Sequence, residues 1–155
     1  MFNQLLPTRI NNTYRGHKVA LWLFALVVFM RVIMSLNSIL NGRMVLSSAD
    51  GIPVDTYAPV AAQTVVSLFA LLGFSIFVIC LLCILVLVRY RSMVPLMFAL
   101  LLLHQLGTRV ILLLLPIVRT GSPPGIYVNL ILVALMIVGL GLSLWNRENL
   151  QAMEQ

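Results

Sequence analysis

Two arginines, Arg31 and Arg109, stand alone inside long apolar stretches. A guanidinium stays charged and offers a planar fork of five donors, which matches carboxylate or phosphate. Around the second lie His104, Gln105 and Thr108. His104 and Thr108 are one helical turn apart, as are Gln105 and Arg109, so the four cover one side of a helix. Arg31, Ser35 and Ser38 follow the i, i+4, i+7 rule for one helical face. Gln63 and Ser67 share a face, with Thr64 beside them, and Asn129 stands early in the last apolar stretch. Two cations with no acid at their depth select an anion: a lipid phosphate, an undecaprenyl-type phosphate, or a quinone whose carbonyl His104 and Arg109 would hold. The candidate ligand-binding set is Arg31, Gln63, His104, Gln105, Arg109 and Asn129, with Asp50 and Asp55 as candidate charge partners.

These residues need elements to hold them, and composition says which. Of the 155 residues, 61% are hydrophobic and 9% charged. A soluble domain runs at about 45–50% apolar and about 25% charged, so this chain cannot cover a wetted surface. Disorder requires the opposite balance, and two cysteines staple too little for a disulfide scaffold. A bilayer core about 30 Å thick takes about 20 apolar residues at about 1.5 Å rise each. Four stretches meet that length: 19–40, 61–88, 93–118 and 126–145. Turn-forming residues fill the 41–60 loop, Arg89-Tyr90-Arg91-Ser92 makes a tight charged turn, and Pro123-Pro124 breaks the chain before the last stretch. The reading is an all-α, integral membrane four-helix bundle, with tails at 1–18 and 146–155.

Basic residues orient it. Arg9, Arg15, Lys18, Arg89, Arg91 and Arg147 fall on one side of a four-span chain, and only Arg43 and Arg119 on the other. Basic residues concentrate in cytoplasmic loops, so both termini are expected in the cytoplasm, with the protein multi-pass in an inner membrane. Tyr90 and Trp145 then fall at the inner boundary, and Tyr57 and Tyr127 at the outer one. The net charge of +6 reports this topology rather than nucleic-acid binding, since no basic run is interleaved with aromatics. A cleaved signal peptide is disfavoured, because the first apolar stretch exceeds the usual length of about 7–15 residues and contains Arg31.

Depth separates the polar residues from the rest. Arg31 lies twelve residues past Val19, about 18 Å in at helical rise, and Arg109 lies sixteen past Met93, about 24 Å in. The other intramembrane polar residues also lie in the outer half or near the midplane, while 19–30, 76–88, 94–103 and 130–142 are almost wholly apolar. A channel or carrier needs polar lining through the full thickness. An outward-facing pocket or a sealed polar knot fits better. Three readings stay open. In the first, the arginines are structural: they snorkel, bond between helices as glue, and pair with Asp50 and Asp55 under a loop folded over the bundle mouth. In the second, they bind a small ligand or a lipid headgroup in an outward-facing pocket. In the third, a partner subunit supplies the counter-charges.

Cys80 and Cys83 form a C-x-x-C inside the second stretch. Four helices with such a motif resemble in outline the quinone-linked disulfide-generating membrane enzymes, including the vitamin K epoxide reductase family. That resemblance implies redox work on a quinone, but those families use further cysteines in an outer loop, which this chain lacks. Its two thiols lie among apolar neighbours and read as small core residues. The two histidines, His17 and His104, lie at different depths and do not pair on a haem. No hydrolase motif, paired carboxylates or metal-ligand spacing is present, and no cofactor is expected. Gly139 and Ser143 make a small-xxx-small pair suited to close helix contact or dimerisation. Phe2, Leu5, Leu6, Ile10 and Tyr14, interleaved with basic residues, suit a tail lying on the inner leaflet, while Pro7 and Asn11-Asn12 suit a plain solvated tail equally.

The expected function is non-enzymatic: an accessory subunit, or a module binding lipid or another anion in an outward-facing polar pocket. Expected partners are the bilayer, an anionic lipid or other anion, and another membrane subunit. A quinone-linked redox enzyme using the same pocket is the alternative, and a small transporter acting as an oligomer is the third reading.

Overall fold

The computed structural model describes Asn12, Tyr14 and residues 16–145. The expected leaflet-lying stretch of the N-terminal tail falls, Tyr14 apart, outside them. Four long helices carry the chain: α1 (Lys18–Leu40), α2 (Pro59–Arg89), α3 (Val94–Leu114) and α4 (Pro124–Leu144). Each, α3 with the short turn before it, is long and apolar enough to cross a bilayer. No strand occurs among the described residues. The 31 residues of α2 amount to about 46 Å at helical rise, well beyond an apolar core of about 30 Å.

Proline sets most helix boundaries. It occupies the first or second position of α2, α3 and α4, where its missing N–H is not needed. It also ends α3 early. The third stretch is expected to run to Val118, yet the helix stops at Leu114, and Leu115 turns to φ −124°, ψ 77°. Leu115 precedes Pro116, whose ring disfavours the helical region for the residue before it. The segment 115–118 is therefore non-helical, and Arg119 is not carried on α3.

α1 is the central helix. It packs most extensively on α2 and then on α4, and α3 is held chiefly by α4. Although a tight turn joins α2 and α3, they touch only lightly. The buried residues of α3 (Val94, Pro95, Met97, Phe98, Leu101 and Gln105) mark the side it presents to the bundle. The main core draws Phe24, Val27 and Val28 from α1, Cys80, Cys83 and Val86 from α2, Met97, Phe98 and Leu101 from α3, and Leu132 and Met136 from α4. Both cysteines are free thiols, buried within it.

Small residues let the helices close up. A β-carbon at Gly73 of α2 would lie 2.9 Å from the Ser38 β-carbon and 3.2 Å from the Ser35 carbonyl of α1. A β-carbon at Gly139 of α4 would collide with the Phe98 ring of α3. That ring meets Phe24 of α1 edge-on, centroids 4.9 Å apart and planes at 70°, a geometry favoured by the ring quadrupoles. Ser143 is occupied as well: Tyr14 Oη donates to its hydroxyl at 2.9 Å, and the His17 N–H donates to the Leu142 carbonyl at 3.2 Å. The Gly139/Ser143 pair thus serves contacts within the chain. Burial pushes the Tyr14 phenol above its ordinary range, while the Ser143 bond draws it back.

The other end of the bundle is stitched by its loops. Residues 41–58 form a helical turn (Gly42–Met44), a π-turn (Val45–Ala49) and a 3-10 turn (Val54–Thr56). Leu46, Ile52 and Val54 pack with Ala62 into a second, smaller core at the start of α2. Gly51, at φ +69°, adopts the left-handed conformation that a side chain would strain. Its carbonyl accepts from the Thr120 N–H at 2.7 Å and the Thr120 hydroxyl at 3.1 Å.

Gly139→Ala should lower the thermal midpoint in detergent, by about 1–3 kcal/mol of overpacking against Phe98. Gly141→Ala, whose β-carbon meets nothing within 4 Å, should leave it unchanged or raise it slightly. Circular dichroism melts of the two variants read the difference, and equal melts would remove the close-contact role of Gly139.

Candidate functional site

Arg31 sits past the middle of α1 and is 5% exposed. Its Nη2 donates to Gln105 Oε1 on α3. Gln105 Nε2 donates to Asn129 Oδ1 on α4 at 3.0 Å, and Asn129 Nδ2 donates to the Gly125 carbonyl at 2.9 Å. The direction of this chain follows from its first member. A guanidinium only donates, so Gln105 turns its oxygen to Arg31 and its amide to Asn129, which does likewise toward a backbone carbonyl. Three of the expected site residues are thereby joined across three helices. Arg31 Nε remains buried without a partner among the described residues.

The other expected members go elsewhere. His104, next to Gln105, is on the exposed side of α3, where its carbonyl accepts from the Thr108 hydroxyl at 2.8 Å. Gln63 is exposed near the start of α2 and stands outside the hydrogen-bond chain. Ser35 and Ser38 bond back to the Val32 and Met34 carbonyls, each at 2.9 Å. Of the expected polar face of α1, only Arg31 reaches another helix through a side-chain bond.

The aspartates do not close charge with Arg31 and Arg109. Asp55 accepts from Arg43 Nη2 at 2.7 Å and from Arg43 Nε at 3.1 Å, in an exposed ion pair of the kind worth about 0–1 kcal/mol. Asp50 senses Arg119. The small core of Leu46, Ile52 and Val54 fastens the 41–58 segment to the start of α2, so its carboxylates stay at the rim with loop cations. Burial pushes the Asp50 carboxyl above the usual carboxylate range, and Arg119 draws it partway back.

Arg109 lies one turn beyond Gln105 on α3. Among the described residues it makes one hydrogen bond, from Nη2 to the Ile126 carbonyl of α4 at 3.4 Å. It shares a cleft of about 270 Å³ with Leu112, Leu113, Ile117, Arg119 and Ile126. Arg119 was expected only as a loop cation. Pro116 is the signal that relocates it, because a helix broken at Leu115 lets the chain fold Arg119 back toward Arg109. The two arginines of the apolar helices thus have different surroundings: Arg31 is buried and donates to the Gln105 amide, and Arg109 lines a cleft with a second cation.

Among the described residues no three His, Cys, Asp or Glu side chains gather to hold a metal ion. No protein-family model matches the chain, and neither the curated proteins nor the solved structures give a match.

Two outcomes follow. Gln105→Leu should strand the buried guanidinium at a cost of about 3–5 kcal/mol, and Arg31→Met with Gln105→Leu should recover most of it; a double-mutant cycle of thermal unfolding measures the coupling. A carboxyl raised by burial binds its proton more tightly when folded, so its stabilisation is full below the ordinary carboxylate range and is lost as pH climbs through the raised value. Asp50→Asn should therefore flatten the decline in stability across that acidic window and raise the melting point at neutral pH. Melts from pH 4 upward (about the ordinary carboxylate value) check the sign.

Proposed function

We propose that this protein is a multi-pass inner-membrane protein with both termini in the cytoplasm, working without chemistry of its own as a lipid- or anion-binding module or accessory subunit. The observation that carries this reading is the cleft at the loop end, where Arg109 and Arg119 face one apolar-walled space that no carboxylate lines. Arg31, Gln105 and Asn129 form the frame behind it, since Gln105 and Arg109 share α3 and Asn129 and Ile126 share α4. His104 and Gln63 fall outside the proposed site. The orientation rests on the bias of basic residues, six on the side of the termini against Arg43 and Arg119.

Native mass spectrometry from mild detergent tests the reading. The full-length protein should retain an anionic mass, Arg109→Ala should lose it, and Arg31→Ala should melt earlier yet keep it. A bare wild-type protein would send the search for function to partner subunits.

A further inference from the structure

The nature of the anion follows from the walls of the cleft, on the reading just given. Arg109 and Arg119 reach it from different segments, one helical and one in the loop after Pro116. Two guanidinium forks supplied by separate segments suit a tetrahedral group with oxygens on several sides better than a planar carboxylate. The remaining lining is Leu112, Leu113, Ile117 and Ile126. Leu113 of α3 is 82% exposed and Val118, next to Ile117 in the segment after α3, 76%, so apolar surface continues outward from the cleft. A free anion gains nothing from such a wall, whereas an amphiphile satisfies the cations with its head and the wall with its chains. Neither described carboxylate occupies the cleft: Asp55 is paired with Arg43, and Asp50, which feels the Arg119 charge, forms no ion pair with it and is absent from the lining.

We infer that the Arg109–Arg119 cleft holds the phosphate group of an anionic membrane lipid, with the lipid chains lying along Leu113 and Ile117. The weak tether of Arg109 to the Ile126 carbonyl leaves most of its fork for that phosphate. The site lies at the end of the bundle away from the termini, so it takes a lipid of that leaflet.

The test is thermal unfolding of the full chain in neutral detergent with added phosphatidylglycerol, phosphatidylcholine or inorganic phosphate, since a ligand of the folded state raises the midpoint by mass action. Phosphatidylglycerol should raise it and phosphatidylcholine should not. Arg109→Gln and Arg119→Gln should each weaken the apparent affinity about tenfold, as expected for losing a charge-assisted bond. Arg43→Gln, which removes a paired cation at the same end, should leave it unchanged. The melt of each variant without additive reports its own folding, and Arg109→Lys, keeping charge without the fork, should fall between wild type and Arg109→Gln. Inorganic phosphate acting in place of the lipid, with the same dependence on both arginines, would keep the phosphate chemistry and overturn the lipid source. A phosphatidylglycerol effect that survives both substitutions would overturn the site while leaving anion binding in place. No effect of either compound on the wild type would overturn both.

Discussion

A guanidinium held among apolar side chains can only donate, and that restriction orders the middle of this bundle. Arg31 must find acceptors, and no acid stands near it among the described residues. The acceptor comes from an amide, Gln105, whose own donor then needs an acceptor in turn, and the demand passes to Asn129 and ends on the Gly125 carbonyl. Each amide relays the polarity because it has both a donor and an acceptor face. The arrangement fixes the register of three helices at once, since sliding any of them by one residue would leave a polar atom unpaired in the core.

Apolar packing alone would specify this bundle poorly, because leucine-rich helices have many near-equivalent ways to touch. Size complementarity narrows the choice. Gly73 admits the backbone of α1 at Ser35, and Gly139 admits the Phe98 ring, which is seated on Phe24. The first contact closes α2 on α1, and the second closes α4 on α3. α3 reaches the bundle through that aromatic contact and the amide relay rather than through the short turn that ties it to α2. A turn determines where two helix ends meet, and side chains determine how far the helices stay together.

The two ends of the bundle are built differently. At the end of the termini, Tyr14 and His17 bond to the last turn of α4. At the opposite end a folded segment of short turns has its own small core, and Gly51 fastens it to Thr120. That attachment holds Asp50 and Asp55 at the rim, where Asp55 pairs with Arg43 and Asp50 feels the Arg119 charge. The consequence for function is a division of labour between cations of the same type. Arg31 is consumed by the frame, and Arg109, one helical turn past the frame, keeps most of its donors for an anion in the proposed site.

Hydropathy and proline placement were enough to read four long helices, the tight turn at 89–92 and the burial of Cys80 and Cys83, because segment length and composition are local properties. The likeness in depth of Arg31, Gln105 and Asn129 was legible too, since rise per residue is constant along a helix. Pairing was not. Which carboxylate meets which arginine depends on how a loop packs, and the anchoring of Leu46, Ile52 and Val54 against α2 is a contact between distant segments. The same holds for Arg119, brought to Arg109 only once the chain bends at Leu115. Pattern along a chain reports the solvent each residue prefers; reach between side chains is set by the packed helices, and tertiary structure alone separates an arginine that holds the bundle from one that faces a cleft.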